Sequence, residues 1–381
     1  MTRALVAVVL LCAWIGAYAQ RDDPSAIVAR DLHEEIVRVD VTVADLYGRE
    51  ETRPMPITIF RPDGGGPFPL VVFNHGRATT DRRATQGRSR PEAFARYLVA
   101  KGFVVLAPTR IGYWETYGSF DPESSGGCND LRVEPMARAA SDQVLATVAY
   151  AKTLPYVDAS RWIVAGQSVG GLTSIATVGR RPAGLLAGIN FAGGTGGNPE
   201  RSPGRSCSPH RIEALYRGLG ATSNVPMLWF YWPNDRYFGE DAPKAWFRAW
   251  SDAGGHGTFA TFDPVGDDGH GGINADMDHW LPIVDRFLAK LGFTKTVGVR
   301  RPPATTFASL ADVELLPAKS AGARAAYARF LDAKAPRAFA VGDRGAFGWA
   351  TNDYVIGRAL GFCRRSGQTC RLYAVDGDVV W

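Results

Sequence analysis

The chain is 381 residues long, 46% hydrophobic and 21% charged, a composition that excludes a disordered chain, a coiled coil and a collagen. Its formal net charge of +5 is too small to argue a nucleic-acid partner. The only long apolar run occupies the first twenty residues, which excludes a polytopic membrane protein.

Taken in chain order, the start reads as an export signal. Arg3 supplies a positive charge, residues 4–14 are apolar, and Ala17-Tyr18-Ala19 fits a small-x-small cleavage site before Gln20. This sets off residues 1–19 and places the mature protein in the periplasm or outside the cell. Cys12 lies inside the signal. Cys128, Cys207, Cys363 and Cys370 remain, an even count that suggests two disulfides with three possible pairings.

Residues 36–44 alternate as a half-buried strand does, with Val37, Val39, Val41 and Val43 on one face. Residues 55–60 read as its hairpin partner, and Asp63-Gly64-Gly65-Gly66-Pro67 as a turn. Leu70-Val71-Val72-Phe73 is continuously apolar, as a strand buried on both faces must be. From there helices are expected at 92–100, 135–152, 170–179, 212–219, 244–250 and 277–291. Strands are expected at 103–107, 162–165, 186–192, 227–232 and 259–265. Strands alternating with helices predict a mostly parallel sheet covered on both faces. The first two strands lack an intervening helix and should form an antiparallel edge. The catalytic domain is placed at 20–298 and a linker at 299–318, around Arg300-Arg301-Pro302-Pro303. A small α+β module follows at 319–381, with a helix at 321–331, a strand at 338–341, a helix at 354–363 and a hairpin-like ending. A unit that small needs a staple. The net positive charge falls here, with 11 basic against 7 acidic residues in 301–381. Arginine outnumbers lysine 36 to 7 along the whole chain, a ratio read as coding bias.

Gly166-Gln167-Ser168-Val169-Gly170 carries the chemistry. A buried strand enters it and a helix leaves it, the strand–turn–helix that holds a serine on a strained elbow. The glycines let strand and helix approach, and the helix N-terminus favours developing negative charge. A serine needs a base. Of six histidines, His270 in Gly266-Asp267-Asp268-Gly269-His270-Gly271-Gly272 follows the last strand and precedes the last helix. His256 precedes its strand and falls at the opposite sheet end, and His279 falls on the helix. Asp235 directly follows strand 227–232 and would orient the imidazole, with Asp241 or Asp267 as alternatives. The oxyanion needs two N–H donors. Val169, after the nucleophile, is one. Arg77 is the other, with Gly76 next, in the loop Asn74-His75-Gly76-Arg77. His75 is read as a brace for that loop.

On His75-Gly76, the Gly166–Gly171 elbow, Asp235 and His270, the chain resembles the α/β-hydrolase superfamily, nearest to its dienelactone-hydrolase-like esterase branch, over roughly residues 35–293. The resemblance implies an α/β-hydrolase fold with a mostly parallel eight-stranded sheet, helices on both faces and metal-free serine hydrolysis. Dienelactone hydrolases proper carry cysteine as nucleophile where this chain has Ser168, so an ordinary esterase is the expectation. In this fold the aromatic loop after strand 103–107 borders the site, and Tyr113 and Trp114 are expected to hold an acyl or aryl group. Cys128 and Cys207 lie in loops leaving the carboxyl end of the sheet, so they are expected to pair and brace the cleft rim, with Cys363–Cys370 as the second pair. The tail resembles small cysteine-paired modules appended to exported bacterial proteins.

No motif calls for a metal, a nucleotide or another cofactor. The expected function is an exported serine hydrolase that cleaves small-molecule or polymeric carboxylic esters, with no nucleic-acid partner and no stable membrane span after signal removal. Cell-envelope contact is assigned to the C-terminal module. Two other readings stay open: a serine peptidase or acyl-peptidase, and a non-catalytic cell-surface binding protein on a hydrolase scaffold.

Overall fold

The computed structural model describes residues 25–297, 301–365 and 368–381; the export signal expected over 1–19 lies outside them. Eight strands form the main sheet: β1 (Glu35–Ala44), β2 (Glu50–Phe60), β3 (Phe68–Asn74), β4 (Val104–Pro108), β5 (Val157–Gln167), β6 (Leu185–Phe191), β7 (Met227–Tyr231) and β8 (Gly257–Thr261). Their order is β1-β2-β4-β3-β5-β6-β7-β8. The β1–β2 and β2–β4 pairs are antiparallel. Every other pair in this sheet is parallel.

The apolar runs are continuous because both faces are covered. Leu70, Val72, Val104, Leu106, Trp162 and Val164 enter one core. Their neighbours Val71, Phe73, Val105, Ile163 and Ala165 enter the other, the period of two that a strand imposes. The first core is closed by α2 (Val133–Ala151), α3 (Val169–Gly179), α4 (Pro209–Thr222) and α5 (Asp241–Asp252). The second is closed by α1 (Glu92–Ala100) and α6 (Met277–Lys290).

Strand β2 begins five residues before the expected Met55. Pro54 and Pro56 hid its first half. Both pair with β1, opposite Asp40 and Arg38. The ladder to β4 covers only Ile57–Phe60, so the missing N–H groups fall where the strand has no second neighbour.

The C-terminal module consists of α7 (Ala321–Asp332), β9 (Arg337–Gly342), β10 (Phe347–Thr351), α8 (Val355–Arg364), β11 (Cys370–Val375) and β12 (Asp378–Val379), with sheet order β10-β9-β11-β12. Strand β10 was not foreseen. Residues 301–318, read as linker, lie against this module. Leu316 and Ala318 are fully buried in its core, Thr305 N–H donates to the Val379 carbonyl at 2.8 Å, and Tyr327 Oη donates to the Leu310 carbonyl at 2.7 Å. The module also shares a core with the main domain: Ala338, Ala359, Leu360, Cys363 and Leu372 belong to the same buried cluster as Phe94, Ile273 and Met277.

Helix α8 makes the junction. A Cβ on Gly357 would stand 2.9 Å from the Ala93 carbonyl oxygen of α1, and one on Gly361 would stand 3.0 Å from that of Asn274. Beside this contact runs a buried ion network. Arg88 and Arg90 meet Glu34, Arg90, Arg96 and Arg364 meet Glu92, and Arg96 meets Asp31. Burial alone would push the Glu92 carboxyl up, but Arg90, Arg96 and Arg364 outweigh it and hold it well below the ordinary carboxylate range.

Both expected disulfides are present, Cys128–Cys207 and Cys363–Cys370. They close loops with sequence separations of 79 and 7 residues. Loop-closure entropy assigns about 4 kcal/mol to the first and about 2 kcal/mol to the second. Removing Cys128–Cys207 by paired Ser substitution should therefore lower the urea midpoint more than removing Cys363–Cys370. Equal losses would show that loop closure does not set the difference.

Candidate active site

Strand β5 ends at Gln167 and α3 starts at Val169, so Ser168 turns the corner between them. Its φ of 59° and ψ of −125° lie where an L residue is held only by its surroundings. The sequence supplies those surroundings as glycines. A Cβ on Gly166 would come within 2.2 Å of the Gly170 carbonyl oxygen, and one on Gly170 within 2.0 Å of the Asn74 carbonyl oxygen. Strand, helix and the β3 loop therefore approach at backbone distance. The Ser168 N–H donates to the Phe191 carbonyl at 2.9 Å, and its carbonyl accepts from Gly171 and Leu172. The first N–H groups of α3, that of Val169 among them, have no acceptor within the helix.

Beyond β7, Asp235 turns its carboxylate inward, with a fully buried side chain. Oδ1 accepts from the Tyr237 and Phe238 N–H groups at 2.7 and 3.1 Å. Oδ2 pairs with His270 Nδ1 at 2.9 Å. The His270 ring is stacked on Tyr237, with centroids 4.0 Å apart, and meets Phe238 edge-on. Asp241 and Asp267, the alternatives to Asp235, are both exposed. His256 is exposed and precedes β8. His279 lies on α6 paired with Asp276, whose hydrogen bond and charge raise its pKa.

Several supporting residues escaped the sequence reading. Asp268 Oδ1 accepts from both the His270 and the Arg236 N–H, at 3.0 and 2.9 Å, tying the histidine loop to the aspartate loop. An Asp two residues before the histidine, opening a short turn, was the available signal. Asn234 clamps the same loop through Val265 and Gly266. Gln167 Nε2 donates to the His270 carbonyl at 3.0 Å, so the residue before the elbow serine holds the backbone of the histidine.

The loop after β3 passes close to the serine: a Cβ on Gly76 would stand 3.1 Å from Ser168 Cβ. His75 is locked beneath it. The Arg110 N–H donates to Nε2 at 3.1 Å, so that nitrogen is unprotonated and Nδ1–H donates to the Gly76 carbonyl. Burial holds its pKa well below the ordinary imidazole value, and the charges of Arg110 and Arg77 add to this. With both nitrogens engaged and the ring neutral, His75 braces the loop. Arg110 Nη2 donates to the His75 carbonyl at 2.8 Å and Nε pairs with Glu123. The Arg77 side chain is turned away to Asp121.

The substrate role expected for Tyr113 requires correction. Tyr113 is fully buried, edge-on to His75, with its hydroxyl against Glu123 and Arg77. It supports the loop from beneath and presents no surface to a ligand. Trp114 is half-buried with φ of 47°. Neither lines the cleft of about 630 Å³ whose walls include Gly76, Arg77, Gln167, Ile273 and, from the C-terminal module, Arg364 and Arg371. Among the described residues no group of three or more His, Cys, Asp or Glu is placed to hold a metal ion. Nor is any helix among them long and apolar enough to cross a membrane.

No protein-family model matches the chain, and no curated protein does. Solved structures do. A protein described as a dienelactone hydrolase from Klebsiella pneumoniae is 17% identical, with 67% of this chain and 98% of that chain covered and a TM-score of 0.42. The esterase Pf2001 of Pyrococcus furiosus is 14% identical, with 70% and 96% covered and a TM-score of 0.47. The acylaminoacyl peptidase of Pyrococcus horikoshii is 16% identical, with 68% of this chain but 41% of that chain covered and a TM-score of 0.48. This chain thus spans about two-fifths of the peptidase. What settles the architecture is the chain's own strand order and direction: it has the α/β-hydrolase fold, with a small α+β module at its carboxyl end.

Proposed function

We propose that the protein is an exported serine hydrolase that cleaves carboxylic esters through an acyl-enzyme on Ser168. One observation carries the reading. A serine held at φ 59° on an elbow shares a sheet end with a histidine whose Nδ1 is engaged by a buried aspartate at 2.9 Å, which leaves Nε2 for the serine. In the first half-reaction Nε2 takes the Ser168 Oγ proton as Oγ bonds to the ester carbonyl carbon. The negative charge that develops on the carbonyl oxygen is met by the Val169 and Arg77 N–H groups, with that of Gly76 next in line. The tetrahedral adduct collapses, the alcohol leaves with the proton from Nε2, and water repeats the sequence on the acyl-serine. The leader sequence and the two disulfides support export to the periplasm or beyond.

The test is to treat the mature protein with a fluorophosphonate and to assay p-nitrophenyl butyrate beside a peptide p-nitroanilide. Labelling at Ser168 with ester turnover is expected. Amide cleavage of comparable kcat/KM would replace the esterase by a peptidase. Neither labelling nor turnover would leave a binding protein on a hydrolase scaffold.

A further inference from the structure

One turn, Asp235-Arg236-Tyr237-Phe238, brings both a carboxylate and two aromatic rings to His270. Asp235 Oδ1 accepts from the Tyr237 and Phe238 N–H groups at 2.7 and 3.1 Å, an Asx-type turn that fixes both aromatic residues to the side chain facing the imidazole. Tyr237 covers one face of that ring, with centroids 4.0 Å apart and 27° between the planes. Phe238 meets it at 5.3 Å and 76°. The backbones of the two stacked residues are also tied together, because Asp268 Oδ1 accepts from the N–H of Arg236 and from that of His270.

Behind Tyr237 stands a short antiparallel hairpin, Gly197–Asn198 against Ser202–Ser206. The Gly204 N–H donates to the Arg236 carbonyl at 2.7 Å, and Arg236 Nη2 donates to the Pro199 carbonyl at 2.8 Å. A Cβ on Gly197 would stand 2.7 Å from the Tyr237 carbonyl oxygen and 2.8 Å from Tyr237 Cβ. The hairpin therefore backs Tyr237 at contact distance, and Cys207, the residue after it, is anchored to Cys128. Burial raises the pKa of the Tyr237 hydroxyl, and the charges of Asp268 and Asp235 add to this against that of Arg82. The ring is thus an uncharged phenol at neutral pH, and what it offers the imidazole is a π face.

We infer that Tyr237 is a positioning residue for the proposed base, within the ester-hydrolase reading on which this rests: its ring holds the His270 imidazole in one plane and stabilises the imidazolium that forms in each half of the cycle. A cation over an aromatic face within about 6 Å of the centroid is attracted by the ring quadrupole, more strongly where water is excluded. The same stack opposes rotation of the imidazole about its bond to Cβ. Nδ1 then stays on Asp235 and Nε2 stays turned to the serine through both proton transfers. Tyr237, and not Tyr113, is the tyrosine of this sheet end that touches a member of the proposed triad.

Three substitutions test this. Tyr237→Phe keeps the ring face, whereas Tyr237→Leu and Tyr237→Met fill similar space without one. The readout is kcat and KM on p-nitrophenyl butyrate, with kcat expressed per site labelled to completion by fluorophosphonate, so that misfolded molecules do not count. Tyr237→Phe should keep kcat within about 3-fold of the parent, because its face also attracts a cation. Tyr237→Leu and Tyr237→Met should lose about 10-fold or more in kcat, with KM unchanged. Full kcat in the Leu and Met variants, or an equal loss in Tyr237→Phe, overturns the inference and leaves the esterase reading intact. So does a raised KM at unchanged kcat, which would make the ring a wall of the substrate site. Neither labelling nor turnover in the unsubstituted protein overturns both.

Discussion

Replacing Asp235 by Asn should lower kcat for ester hydrolysis by about 10⁴-fold while KM and thermal stability change little. The two oxygens of Asp235 have different partners. Oδ1 accepts two backbone N–H groups, from Tyr237 and Phe238, and Oδ2 faces His270 Nδ1. An asparagine keeps one acceptor oxygen. The two fixed backbone donors claim it, and the amide NH₂ is then turned toward Nδ1. A donor facing Nδ1 makes that nitrogen an acceptor, which moves the ring proton to Nε2, where the serine needs a base. The side-chain shape is preserved and the tautomer is reversed. Ser168→Ala, which removes the proposed nucleophile, should cost at least as much. Steady-state kinetics on p-nitrophenyl butyrate checks both. A loss below 10-fold in Asp235→Asn would mean that this carboxylate does not set the proton on His270.

The second large effect lies under the β3 loop. Glu123→Ala should destabilise the protein by about 3–5 kcal/mol and also lower kcat. Arg110 and Glu123 have no exposed side-chain surface. Glu123 also receives hydrogen bonds from Gln143 and Tyr113. Without Glu123, the buried Arg110 guanidinium keeps its hydrogen bond to the His75 carbonyl but loses the carboxylate it pairs with. That carbonyl precedes Gly76, and His75 Nε2 accepts from the Arg110 N–H, so the ion pair fixes the position of the Gly76–Arg77 peptide against Ser168. The double variant Arg110→Met/Glu123→Leu removes both charges. Its urea midpoint should recover most of the loss, since a buried pair replaced by apolar groups of similar size is close to neutral, while kcat stays low because the loop has lost its tether. If kcat recovers together with stability, the pair serves the fold alone.

The elbow could be read from the sequence because its determinants are local: an apolar strand, then Gly-x-Ser-x-Gly, then a helix. Asp235 and His270 could be read because each follows the carboxyl end of a strand. The supporting layer is not local. Glu123 is 13 residues from Arg110, and Gln167 meets His270 across 103 residues; no spacing rule joins such pairs. Tyr113 misled for a related reason. An aromatic loop at the correct sheet end suggests a ligand wall, and only the fold shows the ring turned inward onto His75. The docking of the module did leave a trace. Gly357 and Gly361 sit four apart in α8, where glycine costs helix stability, and each stands where another backbone comes too close for a side chain.

The shared core of Phe94, Met277, Leu360 and Cys363 also bears on how this protein can be divided. The proline-rich stretch near residue 300 invites a cut, as if the last eighty residues were cargo on a tether. A cut there would lay open the flank of α1 and the segment behind His270, where Arg365 donates to the Ala275 carbonyl at 2.6 Å. The carboxyl-terminal piece is a keystone rather than a passenger. A fusion partner or immobilisation tag on this protein belongs beyond Trp381, not in place of what precedes it.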